Sequence, residues 1–463
     1  MSAQPRPAVV PPQPWSFPEA VSRVLPNGLT VVTYDVPGQY VVSVRIGLPV
    51  PLRDEPREKE GVATITARTL DEGTEKYSSA EFARLLERKG VSFGAGMSDS
   101  GMSLDLDVVK GNLEPALDLL RQIVCEPAFP EAEVARHVRT RLAEIEQERA
   151  MPANRAGIEF VRTYYASGDR ASRPTGGSRE TVGAITRDDV VAFHEAQVVA
   201  HGATLVLAGD LSGVDAFGIV ERALGGWAAG ADERATHLSV PAEVAADRGR
   251  VVIVDRPGSV QSEILIGCPG PDRSVEGGWA PYPVIGFVLG GSPNARIDAV
   301  LREEKGYTYG IRSSFRPRRS GGLFMTSGSV RAETTAESLG LLVDLLESGS
   351  KGFSDKEVRS GVDFIGKTAP GRYATADAIA DEAEMMALDG RTTEFTTANL
   401  RDLATVDAAR LQQAWARFAE RSGIGTSTGA GRGWTVVVVG DAATFRDEVD
   451  ALGLGPIEVT AGD

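Results

Sequence analysis

The chain carries a displaced copy of itself. Asp35, Pro37, Gly38, Ile46, Gly47 and Pro49 reappear as Asp255, Pro257, Gly258, Ile266, Gly267 and Pro269, six identities at one offset of 220 within fifteen positions. Composition alone would supply one or two such matches, so the duplication is real and the fold must be built twice. The two copies also close alike. Thr204-Leu205-Val206-Leu207-Ala208-Gly209-Asp210 answers to Thr435-Val436-Val437-Val438-Val439-Gly440-Asp441, each an apolar strand stopped by Gly-Asp. Helical periodicity precedes each, over 188–199 and 407–420. The implied fold class is α+β, with two homologous halves, each a mixed, antiparallel-type sheet packed with helices.

The first copy opens at Leu25-Pro26-Asn27-Gly28-Leu29, a turn signal ahead of the β-rich run Thr30–Tyr34. The chain then returns through Pro37-Gly38 into Val41–Ile46, which reads as a hairpin. At 463 residues the chain exceeds what one core organises. Residues 1–18, with six prolines, read as an irregular arm, disordered or draped on a neighbour. The expected domains are 19–229 and 251–463, joined by an aperiodic linker at 230–250, with further splits near 150–170 and 350–375. The glycine-rich stretch 423–433 lacks a Gly-Lys-Ser/Thr ending and precedes a strand, so it reads as a loop and not a phosphate cradle.

A net charge of −15 argues against nucleic acid and anionic membrane as partners and leaves basic peptides open. Cys125 and Cys268 are far apart and lack metal-ligand spacing, which reads as buried free thiols in a reducing compartment. Prolines occupy the N-terminus where a signal peptide needs an apolar run, and no stretch approaches the roughly 18 apolar residues of a membrane span. A cytoplasmic location is the expectation.

A second alignment, at offset 216, is informative through its differences. Leu86-Glu87-Arg88-Lys89-Gly90-Val91-Ser92-Phe93-Gly94 matches Arg302-Glu303-Glu304-Lys305-Gly306-Tyr307-Thr308-Tyr309-Gly310. One Glu, the Lys and both Gly are shared; Leu86 and Phe93 give way to Arg302 and Tyr309. Shared turns explain the common residues. They do not explain why one copy holds a guanidinium and a phenol seven residues apart, and that asymmetry points to chemistry in the second half. An ordinary reading, Arg302 paired to a neighbouring Glu and Tyr307 and Tyr309 alternating between core and surface, competes with it.

The Leu-Pro-Asn-Gly-Leu opening, the Val-Leu-Ala-Gly-Asp closing strand, and Leu289-Gly290-Gly291-Ser292 through Arg296 into Leu301–Gly310 together resemble the pitrilysin/insulinase metallopeptidases, or inverzincins. That family includes the mitochondrial processing peptidase and small bacterial two-subunit members. It carries zinc on an inverted His-x-x-Glu-His set between Gly-Leu-Ala and Gly-Thr. The frame here is Gly61-Val62-Ala63-Thr64-Ile65-Thr66-Ala67-Arg68, running on to Gly73-Thr74. Thr64 and Arg68 stand at the imidazole positions and Ala67 at the general-base position. Arginine does not deprotonate and cannot bind a cation, so the site is degenerate. The resemblance places a third ligand at Glu144, 76 residues after Arg68, on a helix expected over 130–150. Glu144 reads either as a solvated carboxylate beside Arg141 or as the partner of an Arg68 that replaces the metal charge. His137, His194, His201 and His237 offer no pair at i and i+4, and no Gly-x-Ser-x-Gly occurs.

In such a family Arg302 and Tyr309 would bind substrate and support the transition state. The resemblance implies a chain inactive alone and without a cofactor of its own. It would be a substrate-binding subunit of a heterodimeric zinc metalloendopeptidase, half of a clamshell. Arg302 and Tyr309 would act in trans on an extended peptide, with zinc held by a His-x-x-Glu-His-bearing partner. The alternative is a structural or peptide-binding scaffold without a role in proteolysis; an autonomous enzyme with an unrecognised site is a third reading.

Overall fold

The computed structural model describes residues 10, 13–230, 240–318, 321–425 and 432–462. Most of the arm, the linker segment 231–239, and 426–431 of the glycine-rich stretch lie outside the described residues. Two six-stranded sheets organise the molecule. The first has order β1-β2-β6-β3-β5-β4, with β1 (Val21–Val24), β2 (Thr30–Asp35), β3 (Val41–Leu48), β4 (Ser92–Ser98), β5 (Gly101–Val109) and β6 (Thr204–Gly209). The second has order β12-β7-β11-β8-β10-β9, with β7 (Val251–Asp255), β8 (Gln261–Gly270), β9 (Arg312–Arg316), β10 (Gly322–Arg331), β11 (Thr435–Gly440) and β12 (Ile457–Ala461).

The hairpin expected around Pro37-Gly38 does not form. β6 enters between β2 and β3, parallel to the first and antiparallel to the second. β11 enters likewise between β7 and β8. The duplicated residues make this insertion. Asp35 Oδ1 accepts from the Leu211 amide at 2.9 Å and Asp255 Oδ1 from the Ala442 amide at 3.0 Å. Gly38 N–H donates to Asp210 at 3.1 Å, and Gly258 N–H to Asp441 at 2.8 Å. Each Pro-Gly turn is thus clasped to the Gly-Asp end of the central strand. The true hairpin is β1–β2, turned at Asn27-Gly28. The outer strands break the symmetry: β1 pairs antiparallel with β2, whereas β12 arrives from the C-terminus and pairs parallel with β7.

The central strands are apolar throughout because both faces are covered. Leu205 and Leu207 point into a core with Phe82, Leu117, Val190 and Phe193, whereas Val206 and Ala208 point to the opposite face. In the second sheet Val436 and Val438 meet Leu342, Trp415 and Phe418, and Val437 and Val439 meet Phe160 and Tyr164. The covers on those opposite faces are exchanged. The Pro152–Tyr164 helix lies on the second sheet and the Ala376–Leu388 helix on the first.

Gly47 and Gly267, one of the duplicated pairs, make the exchange possible. A Cβ on Gly267 would lie 2.5 Å from Phe160 Cζ, and one on Gly47 would lie 3.1 Å from Glu384 Cγ and from Leu388 Cγ. Beside Gly47, the buried Arg45 ties the halves electrostatically, its Nε donating to Asp381 at 2.7 Å and its Nη1 to Asp107 at 3.1 Å. The described part of the arm is draped over the same junction. Phe17 is buried against Tyr34, and Trp15 stacks on Tyr373 with centroids 5.5 Å apart.

Because Phe160 is itself stacked on Tyr164, the sheet cannot admit a methyl at position 267 without moving the helix. Gly267→Ala is expected to lower unfolding free energy by about 1–3 kcal/mol. Gly96→Ala, on the edge strand with open space around it, is expected to stay within about 0.5 kcal/mol. Urea unfolding of the two variants checks this.

Candidate functional site

The helix Val62–Thr69 holds the positions that the family frame assigns to zinc, and a set of buried charges holds the helix. Its N-terminus has no side-chain cap of its own. Glu55 Oε1 supplies one, accepting from the Gly61 and Ala63 amides at 2.9 and 3.0 Å. The other Glu55 oxygen accepts two N–H bonds from Arg170 at 3.0 and 2.8 Å. Arg173 Nε binds both oxygens of Glu60, just before the helix, at 2.9 and 2.8 Å. Burial pushes the Glu55 carboxyl up, against the pull of Arg170 and the two amides. Sequence reading missed Glu55, Glu60, Arg170 and Arg173, because more than a hundred residues separate the acids from the arginines and no local pattern links them.

On the helix, Thr64 and Arg68 are partly exposed and Ala67 is buried. Arg68 Nη1 donates to both oxygens of Glu144, at 3.0 and 2.8 Å, from the Val62–Thr69 helix to the Glu131–Ala150 helix. Arg141 Nη1 donates to the same carboxylate at 3.2 Å and also binds Glu148. The two readings of Glu144 therefore combine, since it takes Arg141 from its own helix and Arg68 from the facing one. Burial alone would raise the Glu144 carboxyl, but Arg68 and Arg141 outweigh it and hold it below the usual carboxylate range.

These residues do not fit zinc. The carboxylate already serves two guanidinium groups, and among the described residues no imidazole joins it and the Thr64 hydroxyl has no hydrogen-bond partner. Among the described residues no group of three His, Cys, Asp or Glu could hold a metal. His137 Nε2 contacts Glu72 at 2.8 Å, and His194 Nε2 contacts the Val124 carbonyl at 3.0 Å with its pKa lowered by burial. His237 lies outside the described residues. Burial pushes the Cys125 thiol up to about 11 and the fully buried Cys268 higher still, which leaves neither as a nucleophile.

Arg302 and Tyr309 sit elsewhere, on either side of one closed turn. Arg302 belongs to a π-helical segment, Asp298–Glu304, where its counterpart Leu86 belongs to an ordinary α-helix. Gly306 ends the segment at φ 67°, and the Tyr307 amide returns to the Leu301 carbonyl at 2.8 Å. Buried Asp298 accepts from the Ile311 amide at 3.2 Å and from Arg312 at 2.7 Å. The Tyr307 hydroxyl donates to Glu337 at 2.7 Å and Thr308 Oγ1 to the Ser329 carbonyl at 2.7 Å. The loop is braced on both sides of Tyr309, which turns outward and is 94% exposed. The Arg302 side chain is 42% exposed, with Glu303 at 3.4 Å as a weak ion partner. In the first copy Leu86 is core and Phe93 lies on β4, half-buried.

Comparison with known proteins matches two family profiles to the chain. Residues 30–175 match "Insulinase (Peptidase family M16)", and residues 184–363 match "Peptidase M16 inactive domain". An uncharacterized zinc protease of Mycobacterium leprae is 26% identical over 293 residues, 63% of this chain; the match spans 64% of that protein's own length, just under two thirds. A peptidase M16 inactive domain from Pseudomonas fluorescens has the same fold, at TM-score 0.80, 22% identity and coverage of 91% of this chain and 98% of that one. A Helicobacter pylori protease superposes at TM-score 0.79 and 16% identity, covering 91% and 99%.

The geometry separates a load on folding from a surface pair. Arg170→Met, which leaves Glu55 buried and unpaired, is expected to destabilise by about 3–5 kcal/mol. Arg68→Met, at a pair whose side chains are 32% and 35% exposed, is expected to cost less than about 1 kcal/mol. Chemical denaturation distinguishes them. Restoring the donors through Thr64→His, Ala67→Glu and Arg68→His is expected to give one zinc per chain by elemental analysis, with Glu144 released to join it. The unmodified chain is expected to retain none after dialysis.

Proposed function

The chain is a non-catalytic member of the insulinase (peptidase M16) family, and from that premise we propose that it is the substrate-binding subunit of a two-chain zinc metalloendopeptidase. Zinc and the general base come from a partner of the same family with His-x-x-Glu-His intact. This chain supplies Arg302 and Tyr309 in trans. The observation that carries the reading is the contrast between the duplicated segments. One keeps Leu86 and Phe93 packed inward; the other exposes a guanidinium and a phenol around a turn braced by Asp298, Thr308 and Glu337. A fold that needed only the turn would have no use for an outward Tyr309.

The chemistry follows from the groups. A guanidinium fork suits a peptide carbonyl or terminal carboxylate in an extended substrate. The phenol O–H of Tyr309 donates to the oxygen that gains charge as water attacks the scissile carbonyl, and its braced loop limits reorganisation at that step. Water is activated in the partner. The substrate is an unfolded or extended peptide, and the acidic net charge favours basic ones. Among the described residues no helix is long and apolar enough to cross a membrane; a cytoplasmic location remains part of this reading.

Cleavage of an unstructured quenched peptide by this chain, by its zinc-bearing partner, and by the two mixed tests the assignment. Activity is expected only in the mixture and is expected to disappear with chelator. Tyr309→Phe in this chain is expected to lower kcat by about 10²-fold, the scale of one lost oxyanion donor. Full activity without this chain, or with Tyr309→Phe, would leave it a scaffold.

A further inference from the structure

Where β9 ends, Arg316-Pro317-Arg318 runs along a cavity of about 300 Å3 whose lining includes Glu384 and Met385 of the exchanged Ala376–Leu388 helix. Arg273 and Ser103 also line it. Two of its arginines are neutralised locally, Arg273 by Asp389 and Arg318 by Asp99 at 2.9 Å. The Arg316 side chain is exposed and has no ion pair or hydrogen bond among the described residues; partial desolvation, then the neighbouring Arg318, lowers its pKa against the attraction of Asp99.

Glu384 is the complementary oddity. It is 7% exposed and its Oε1 has no hydrogen-bond partner. Burial pushes its carboxyl up to about 7, against the pull of Ser103 and Arg45. Among the described residues, one arginine without an ion pair and one buried carboxyl with an unpartnered oxygen suit a carboxylate. A phosphate dianion would meet Asp99 and Asp389, and among the described residues of the lining only Arg316 is an arginine without an ion pair to offset them.

A second cavity, of about 380 Å3, shares Arg273 and Met385 with the first. Its walls combine the apolar side chains of Trp279, Phe287 and Phe364 with polar ones such as Arg372, Glu382 and Asn399, and Phe364 is 53% exposed despite its contact with Phe287. β9 passes along both cavities, with Ser313–Phe315 at the larger one and Arg316 at the smaller one.

We propose that the paired cavities bind the C-terminal residue of a peptide, its free α-carboxylate between Arg316 and Glu384 and its apolar side chain against Phe287, Phe364 and Met385. Peptide hydrolysis creates such ends, which would make this a product-end site under the subunit reading. Binding itself needs no partner and is measured on this chain alone, so the two ideas fail separately.

Calorimetric titration of the full chain uses four probes: an N-acetylated tripeptide acid ending in phenylalanine, its C-terminal amide, the same acid ending in glycine, and inorganic phosphate. The phenylalanine acid is expected to bind, with the amide and the glycine acid each at least about tenfold weaker, the scale of a charge-assisted bond or a buried side chain. Arg316→Gln, at an exposed and unpaired position, is expected to keep the melting temperature and to reduce the acid to the affinity of the amide. Glu384→Gln, which keeps a neutral donor, is expected to retain binding that Glu384→Leu loses. Equal binding of acid and amide, no binding at millimolar peptide, indifference to Arg316→Gln, or phosphate binding as tightly as the peptide acid would each overturn the proposal.

Discussion

Gly47 and Gly267 are where each sheet lets a helix from the other half of the chain come close enough to seal its second face. Without those two approaches the central strands would expose Val206, Ala208, Val437 and Val439 to water. Each strand would then have one wet face while carrying the composition of a doubly buried one. The exchange also explains why the halves form one body. The covering helix of each belongs in sequence to the other, and the Arg45 ion cluster and the arm residues Trp15 and Phe17 sit on the same seam.

At the positions that the family frame assigns to zinc, ion pairs join two helices. Arg68 meets Glu144 as a permanent cation, so the carboxylate does not face an unbalanced electrostatic environment. Beneath it, Glu55 and Arg170 fix the start of the helix at a depth where neither group could remain alone. The second half differs. Its turn is braced as a structural turn would be, yet the residue at its tip is an exposed phenol.

Several features were legible from residues alone because they depend on local or repeated pattern. The duplication, the closing strands, the helix expected over 130–150 and the Gly306 turn follow from periodicity, turn chemistry and offset. The hairpin reading of Pro37-Gly38 failed for a nonlocal reason. A Pro-Gly turn reverses the chain equally well whether the flanking strands pair or stand two positions apart, and the strand that separates them comes about 165 residues later. The same reason hid the Glu55–Arg170 and Glu60–Arg173 pairs.

The amino-acid order, read by itself, settles that the fold occurs twice, that position 68 cannot hold a metal, and that only one copy carries Arg302 and Tyr309. These are matters of residue identity and spacing, and identity is what side-chain chemistry needs. Folding in three dimensions settles which helix covers which sheet, which carboxylate meets Arg68, and which of two nearby tyrosines faces outward. Those outcomes depend on contacts between segments far apart in the chain, whose free energy exists only once both faces of each sheet are closed.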